Sequence, residues 1–110
     1  MHQTGYMAFE LRTYTALPGR MDALLARFRD HTVALFETHG MHSVGYWVPV
    51  DDPDKLVYIL RHDGDPNQNW AAFQADQTWQ AAKAASVVDG EIVAHIDSAF
   101  LTPTSFSDLQ

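Results

Sequence analysis

The sequence contains no cysteine among its 110 residues. This absence excludes disulfide bonds, thiolate nucleophiles, iron–sulfur clusters, covalent haem attachment and cysteine-ligated zinc. A chain without cysteine is typical of proteins that fold in a reducing compartment, and we expect a cytoplasmic location.

Basic residues are also few, with seven Lys and Arg against fourteen Asp and Glu, for a formal net charge of −7. A surface this acidic is repelled by phosphate backbones and by anionic lipids, so nucleic acid and membrane are not expected partners. No apolar run approaches the roughly 20 residues that span a bilayer. The first residues lack the basic and apolar regions of a signal peptide. We expect residues 1–7 to be a loose extension and residues 8–110 to form one domain.

Several motifs that carry chemistry are missing as well. There is no G-x-S-x-G, no H-x-x-x-H and no glycine-rich phosphate loop. His31 and His39 are separated by about 12 Å along one predicted helix, and His42 belongs to the next strand, so the three cannot share a metal. A single histidine would suffice for haem, but no spacing singles out His39, His62 or His95. The sequence therefore predicts no metal site and no cofactor.

What the sequence does contain is a regular alternation of strand and helix patterns. "AFELRTYT" has the period of two that is typical of a strand, with Phe9, Leu11 and Thr13 on one side and Glu10, Arg12 and Tyr14 on the other. Apolar residues at three- and four-residue spacing then predict one amphipathic helix over 21–39, which Gly40 ends.

The second half of the chain repeats that order. Stretches 41–50 and 55–62 flank the turn "DDPD" and predict a β-hairpin. A helix follows near Trp70, which Asn67 or Asn69 could cap, with a break near Asp76. "IVAHIDSAFL" is the last strand. The order βαββαβ predicts a ferredoxin-like α+β plait, with two helices on one face of a four-stranded antiparallel sheet.

The strand "LVYIL", residues 56–60, raises the question of what covers the other face of the sheet. It is apolar at every position, whereas an antiparallel sheet with one open face should alternate apolar and polar residues. A second copy of the same sheet is the simplest cover, which predicts a two-fold homodimer. A glutamate at Tyr58 or Leu60 is then expected to disrupt the dimer. The alternative is a central strand with partly exposed valines.

Three stretches of the chain, "FELRTYTALPGR", "HGMHSVGYWVP" and "AFLTPTSFS", together resemble the NIPSNAP family. The resemblance runs from about Phe9 to Ser107. It implies a dimeric α/β barrel, in which two ferredoxin-like sheets pack face to face and from which larger oligomers could be built. It implies a small-molecule-binding or scaffolding protein, with no established reaction. The wider barrel superfamily includes monooxygenases and isomerases, and fold alone does not choose among these functions.

Aromatic and polar residues of several elements form a candidate pocket between the sheet and the helices. The predicted lining residues are Arg12, Tyr14, Tyr46, Tyr58, His62 and Trp70. Arg12 would hold an anion and the tyrosines would donate hydrogen bonds to a small, partly apolar ligand. The alternative is that the aromatics are core and dimer interface, while Glu10 and Arg12 pair on the surface.

Two further functions stay open at this stage. One is a metal-free, cofactor-independent monooxygenase or isomerase acting on an aromatic or enolisable compound. In that enzyme Arg12 would stabilise an enolate or oxyanion, and His62 or Tyr14 would relay a proton. The other is a structural assembly protein whose barrel is filled.

Overall fold

The computed structural model of the protein describes residues 7–110. Of the predicted N-terminal extension, residues 1–6 lie outside the described residues, and Met7 is already the first residue of a strand. The remaining chain forms four strands and two helical regions in the predicted βαββαβ order. The ferredoxin-like α+β class is therefore confirmed.

The four strands form one antiparallel sheet in the order β2-β3-β1-β4. They are β1 (Met7–Ala16), β2 (Met41–Trp47), β3 (Lys55–Asp63) and β4 (Val93–Leu101). The helices are α1 (Met21–Arg27), α2 (Val33–Thr38), α3 (Pro66–Ala75) and α4 (Gln77–Ser86). No helix in the described part of the chain is long and apolar enough to cross a membrane.

The first helical region contains a π-helical turn that the apolar spacing did not predict. Between α1 and α2, residues Phe28–Thr32 widen the helix, and the N–H of Val33 donates to the carbonyl of Phe28 five residues earlier. The Thr32 hydroxyl donates to the Arg27 carbonyl at 3.2 Å. The region ends at Thr38, shortly before Gly40, which has the left-handed φ of 75° that favours glycine.

The second helical region divides at Asp76, as the sequence predicted. Asp76 has an extended backbone, and its carboxylate accepts hydrogen bonds from the N–H groups of Thr78 and Trp79, so it caps α4. The predicted cap of α3 was wrong. The helix begins earlier, at Pro66, and Asp65 caps it by accepting from the Asn67 N–H at 2.9 Å.

Strand β3 alternates strictly between the two faces of the sheet. Tyr58 and Leu60 are fully buried beneath the helices, whereas Val57 and Ile59 lie on the open face and are half-buried. The assignment of Tyr58 and Leu60 to the face that a second sheet would cover is therefore wrong. A charge at either position would enter the core of the domain, and the positions of this strand on the open face include Val57 and Ile59.

The polar side of β1, rather than its apolar side, is the one that the helices cover. Glu10 is 1% exposed and Tyr14 is 7% exposed. Arg12 extends from the same face, and its side chain is 14% exposed. Since Glu10 and Arg12 form their ion pair in the buried layer, the alternative of a surface pair is wrong. The packing around this layer is aromatic: Tyr58 lies between 5.2 and 5.9 Å from the rings of Phe28 and Phe36.

Candidate functional site

A buried hydrogen-bond network is centred on the carboxylate of Glu10. One oxygen accepts from His62 Nε2 at 2.7 Å and from the Trp70 indole N–H at 2.8 Å. The other accepts from Arg12 at 3.0 Å and from the Ser98 hydroxyl at 2.6 Å. The donors come from three strands and from α3, so one side chain ties both layers together.

These four donors determine the charge of Glu10. Burial alone would raise its pKa, but the hydrogen bonds from His62, Ser98, Trp70 and Arg12 lower the pKa to about 2. The group is therefore ionised throughout the physiological range. A carboxylate with four donors and so low a pKa is unsuited to accept a proton as a general base.

Arg12 links this carboxylate to two tyrosines. Its Nε donates to the Tyr58 hydroxyl at 2.8 Å, and a terminal nitrogen donates to the Tyr14 hydroxyl at 3.1 Å. The guanidinium lies 4.2 Å from the centre of the Trp70 ring, a cation–π contact. Burial alone would lower the pKa of Arg12, but Tyr14, Tyr58 and Glu10 together raise it. Arg12 is therefore a fixed cation with all three nitrogens engaged.

The structure brings five of the six predicted pocket residues into this network. Arg12, Tyr14, Tyr58, His62 and Trp70 are connected to one another directly or through Glu10. The sixth, Tyr46, lies outside it. Tyr46 stacks on Tyr58 with ring centres 5.2 Å apart and hydrogen-bonds to Ser43 at 2.7 Å.

Sequence reasoning missed the central role of Glu10 and the contributions of Ser98 and Asn69. The amide of Asn69 contacts His62 Nδ1 at 3.2 Å and so fixes the imidazole from its other side. Ser98 faces Glu10 because β4 pairs with β1 as Arg12 opposite Ser98. The strand alternation put Glu10 and Arg12 on one face, but only the pairing register of β1 with β3 and β4 brings these partners together.

A cavity of about 430 Å³ lies beside this network, between the edge strand β4 and helices α1 and α4. Its lining residues are Tyr14, Arg27, Trp79, Lys83, Val87, Glu91, Ile92, Val93, Ala94, His95 and Ile96. Tyr14 is the member of the predicted set that borders it. The cavity forms here because β4 lies at the edge of the sheet, where residues from Ala94 onward are exposed.

The wall between α4 and β4 is held in place by Arg20. Its guanidinium donates to the backbone carbonyls of Ser86, Gly90 and Glu91 at 3.3, 3.1 and 3.2 Å. These bonds tie the α4–β4 connection to the start of α1. The α4–β4 connection, which supplies Val87 and Glu91 to the cavity lining, is thus held in place before any ligand binds.

Arg27 is the buried cation of the cavity. It is 7% exposed, and its guanidinium lies 5.5 Å from the centre of the Trp79 ring. One terminal nitrogen donates to the Ser86 hydroxyl at 3.2 Å, while Nε is buried with no hydrogen-bond partner within residues 7–110. Burial lowers the pKa of Arg27 from its ordinary value. The residue was not among the predicted site residues.

The histidines near the helix ends form structural contacts. His39 Nε2 lies 2.7 Å from Asp76, which joins the end of the first helical region to the start of α4. His42 lies between Glu37 and Asp63 at 2.7 and 2.6 Å, and these two carboxylates raise its pKa, Asp63 contributing most. Across residues 7–110, no group of three or more His, Asp or Glu side chains is arranged to hold a metal ion.

The fold defines the class of protein: a ferredoxin-like α+β domain with a covered and an open sheet face. The NIPSNAP family model matches residues 9–108, and the chain belongs to the NIPSNAP family. The predicted family is thereby confirmed. No curated protein matches the sequence.

Solved structures agree with this assignment. A NIPSNAP family protein of unknown function from Agrobacterium tumefaciens is 24% identical, with 99% of this chain and 98% of that chain covered and a TM-score of 0.80. A NIPSNAP-like domain protein from Burkholderia xenovorans is 19% identical, with coverage of 92% and 88% and a TM-score of 0.75. A Chloroflexus aurantiacus protein, provisionally named an antibiotic biosynthesis monooxygenase, is 19% identical, with coverage of 96% and 100% and a TM-score of 0.64. These likenesses concern the fold.

Proposed function

We propose that this NIPSNAP family protein is a homodimer that binds a small, partly apolar molecule between the sheet and the helices of each subunit. The observation that carries the binding proposal is the cavity of about 430 Å³ beside Tyr14. Its size falls within the range of about 300–1,000 Å³ that is usual for small-molecule sites. Its walls are mixed, with apolar side chains such as Ile92 and Ile96 beside charged ones such as Arg27 and Lys83, so they suit a ligand that is only partly apolar.

Binding is better supported than the metal-free enzyme considered from the sequence. Such an enzyme would need Arg12 to receive a developing negative charge, yet each nitrogen of Arg12 already donates to Glu10, Tyr14 or Tyr58. Glu10 is equally committed to its four donors. The presence of an open cavity also favours a binding protein over an assembly protein with a filled interior.

The binding proposal is tested by filling the cavity. Ala94 is exposed and lines it, so Ala94→Phe should occupy the space with little effect on the core. Ala81, exposed on α4, provides a control substitution, Ala81→Phe. In native mass spectrometry the wild type and Ala81→Phe should carry a retained small molecule, or bind members of a fragment library, and Ala94→Phe should do neither. Equal binding by both variants would refute a site in this cavity.

The homodimer is supported by the composition of the open face. Leu11, Val57 and Ile59 are half-buried there without a covering layer, and Trp47 is 51% exposed. The C-terminal segment covers one end of this face only, leaving a cavity of about 320 Å³ bordered by Ile59. Because apolar surface of this kind favours association, a second copy related by a two-fold axis is the expected cover.

Light scattering during size-exclusion chromatography tests the dimer. The wild type should elute as a dimer, and Ile59→Glu should elute as a folded monomer because it places a charge in the interface. Val88 is 80% exposed in the α4–β4 connection, so Val88→Glu is a control that should remain dimeric. A monomeric wild type, or a dimer unaffected by Ile59→Glu, would contradict the proposal.

A further inference from the structure

We propose that the cavity between β4 and the helices selects small organic anions, with Arg27 binding the anionic group and the apolar wall of β4 contacting the rest of the molecule. This inference rests on the proposed function, because it names the class of ligand for the same cavity. The predicted anion-binding residue was Arg12; the structure points to Arg27 instead.

The Arg27 side chain is buried without an anionic partner among the described residues. Arg27 as a residue is 7% exposed, and burial of a cation is unfavourable unless the cation is paired. No carboxylate in the described chain forms an ion pair with it, and its Nε has no partner. The contacts with Ser86 and the Trp79 ring compensate for part of that cost only. An anion in the cavity would supply a charge partner for the guanidinium through its terminal nitrogens, since the inaccessible Nε cannot reach a ligand.

Basic residues that lack carboxylate partners in the described chain meet at this cavity. Of the seven basic residues, Arg12, Arg29 and Lys55 form ion pairs with carboxylates, whereas Arg20, Arg27, Arg61 and Lys83 form none within residues 7–110. Lys83, which forms none among residues 7–110, lines the cavity together with Arg27. With Glu91 counted, the lining keeps a formal charge of +1 in a chain of net charge −7.

Two other titratable groups, Glu91 and His95, also line the cavity and affect its charge. Glu91 is exposed and makes no ion pair within the described residues, while it is close enough to raise the pKa of Arg27 against the effect of burial. His95 is exposed and hydrogen-bonded to Asp97 at 2.9 Å. The buried charge of the cavity is therefore that of Arg27, and the carboxylate of Glu91 remains in solvent.

Tyr14 supplies a third group for the ligand. Its hydroxyl accepts from Arg12 at 3.1 Å and from the fully buried Tyr58 at 3.2 Å. No hydrogen bond in residues 7–110 uses the Tyr14 proton as donor. A phenol that accepts from a guanidinium is polarised as a donor, so Tyr14 is suited to donate to an oxygen of a bound anion.

The rest of the cavity determines which anions fit. Ile92, just before β4, and Val93 and Ile96 within it form an apolar wall, and the largely buried Trp79 borders the cavity from α4. An apolar body joined to a carboxylate matches both parts of the site. Inorganic phosphate would satisfy the cation but leave the wall without a contact, so it should bind more weakly.

The test compares three probes by isothermal titration calorimetry: benzoate, its neutral analogue benzamide, and inorganic phosphate. The wild type should bind benzoate at least roughly tenfold more tightly than benzamide, since hydrogen bonds to charged groups are worth about 1.5–3 kcal/mol. Arg27→Gln should remove this preference, and Arg27→Lys should restore part of it. Arg29 is exposed on the neighbouring turn and paired with Asp30, so Arg29→Gln should leave the preference unchanged.

The possible failures can be told apart. Equal affinity for benzoate and benzamide, or a preference that survives in Arg27→Gln, would overturn the anion site while leaving a binding cavity. Phosphate bound as tightly as benzoate would overturn the role of the apolar wall. If none of the three probes binds, the anion site is refuted, and the Ala94→Phe comparison decides separately whether the cavity binds anything.

Discussion

Arg12 and Arg27 are both largely buried between the sheet and the helices, but their surroundings differ. Arg12 donates to Glu10, Tyr14 and Tyr58 and stacks on Trp70. Arg27 donates to one hydroxyl, of Ser86, and keeps a buried Nε without a partner in the described chain. Burial acts on both, yet the neighbours of Arg12 raise its pKa, whereas for Arg27 burial prevails and the pKa is lowered.

This difference distinguishes a structural role for Arg12 from the ligand-binding role proposed for Arg27. A buried guanidinium whose three nitrogens all donate to neighbouring side chains stabilises one arrangement of the chain and has little left to offer a ligand. A buried charge with unused donors beside a cavity costs stability in the free protein and recovers it on binding. The Glu10 network therefore acts as scaffold for Tyr14, and the Arg27 cavity as the candidate site.

The largest expected effect on stability comes from removing the Glu10 carboxylate, the acceptor at the centre of the network. Glu10→Ala leaves the donors of Arg12, His62, Trp70 and Ser98 without their acceptor, and that of His62 is fully buried. We expect the free energy of unfolding to fall by about 3–5 kcal/mol, measured by urea denaturation. The exposed Glu91 provides the matched control, and Glu91→Ala should cost less than about 0.5 kcal/mol.

The low pKa of the Glu10 carboxylate predicts how the stability of the protein depends on pH. The pKa of Glu10 falls from its ordinary value of 4.5 to about 2 in the folded protein. Because the folded pKa is depressed, its contribution is complete above pH 4.5 and is lost as pH falls toward 2. Over that window the wild type should lose about 3 kcal/mol more than Glu10→Gln. Parallel losses in the two proteins would show that Glu10 is not held in its ionised form.

Replacing each arginine by methionine tests the comparison itself. Arg12→Met should lower the free energy of unfolding by about 2–4 kcal/mol, because it breaks a buried ion pair and frees two tyrosine hydroxyls. Arg27→Met should change it by less than about 1 kcal/mol, because the cation it removes is poorly compensated. Equal losses in thermal or urea unfolding would mean that Arg27 is structural as well.

The smallest expected effect on stability is that of a substitution at Tyr14, which belongs to the Glu10 network and also lines the Arg27 cavity. Tyr14→Phe removes an acceptor used by Arg12 and Tyr58, and should cost about 1 kcal/mol in unfolding experiments. Tyr46→Phe removes a hydroxyl bonded to Ser43 alone and should cost less. A larger loss at Tyr46 would indicate that the network does not depend on the Tyr14 hydroxyl.

Much of the fold follows from local patterns, and the errors have identifiable causes. Strand alternation correctly separated Glu10 and Arg12 from Phe9 and Leu11, but periodicity gives two faces without saying which one is covered. The break at Asp76 was predictable because a continuous helix would put Trp70 and Trp79 on opposite sides.

The candidate site could be predicted less well from the sequence than the fold could. Arg27 lies outside the apolar stripe of the first helical region and becomes buried through α4, which supplies Trp79 and Ser86. Ser98 reaches Glu10 only through strand pairing across 88 positions of the chain. Contacts of this range depend on register and helix packing, and neither property is encoded in local spacing.

The three tryptophans report on three regions, so one titration tests the central claim directly. Trp79 borders the Arg27 cavity, Trp70 donates to Glu10 in the network, and Trp47 lies on the open face. In ¹H–¹⁵N spectra recorded during a benzoate titration, the Trp79 indole signal should shift while those of Trp70 and Trp47 stay in place. A shift of the Trp70 or Trp47 signal without one at Trp79 would contradict the assignment of the site.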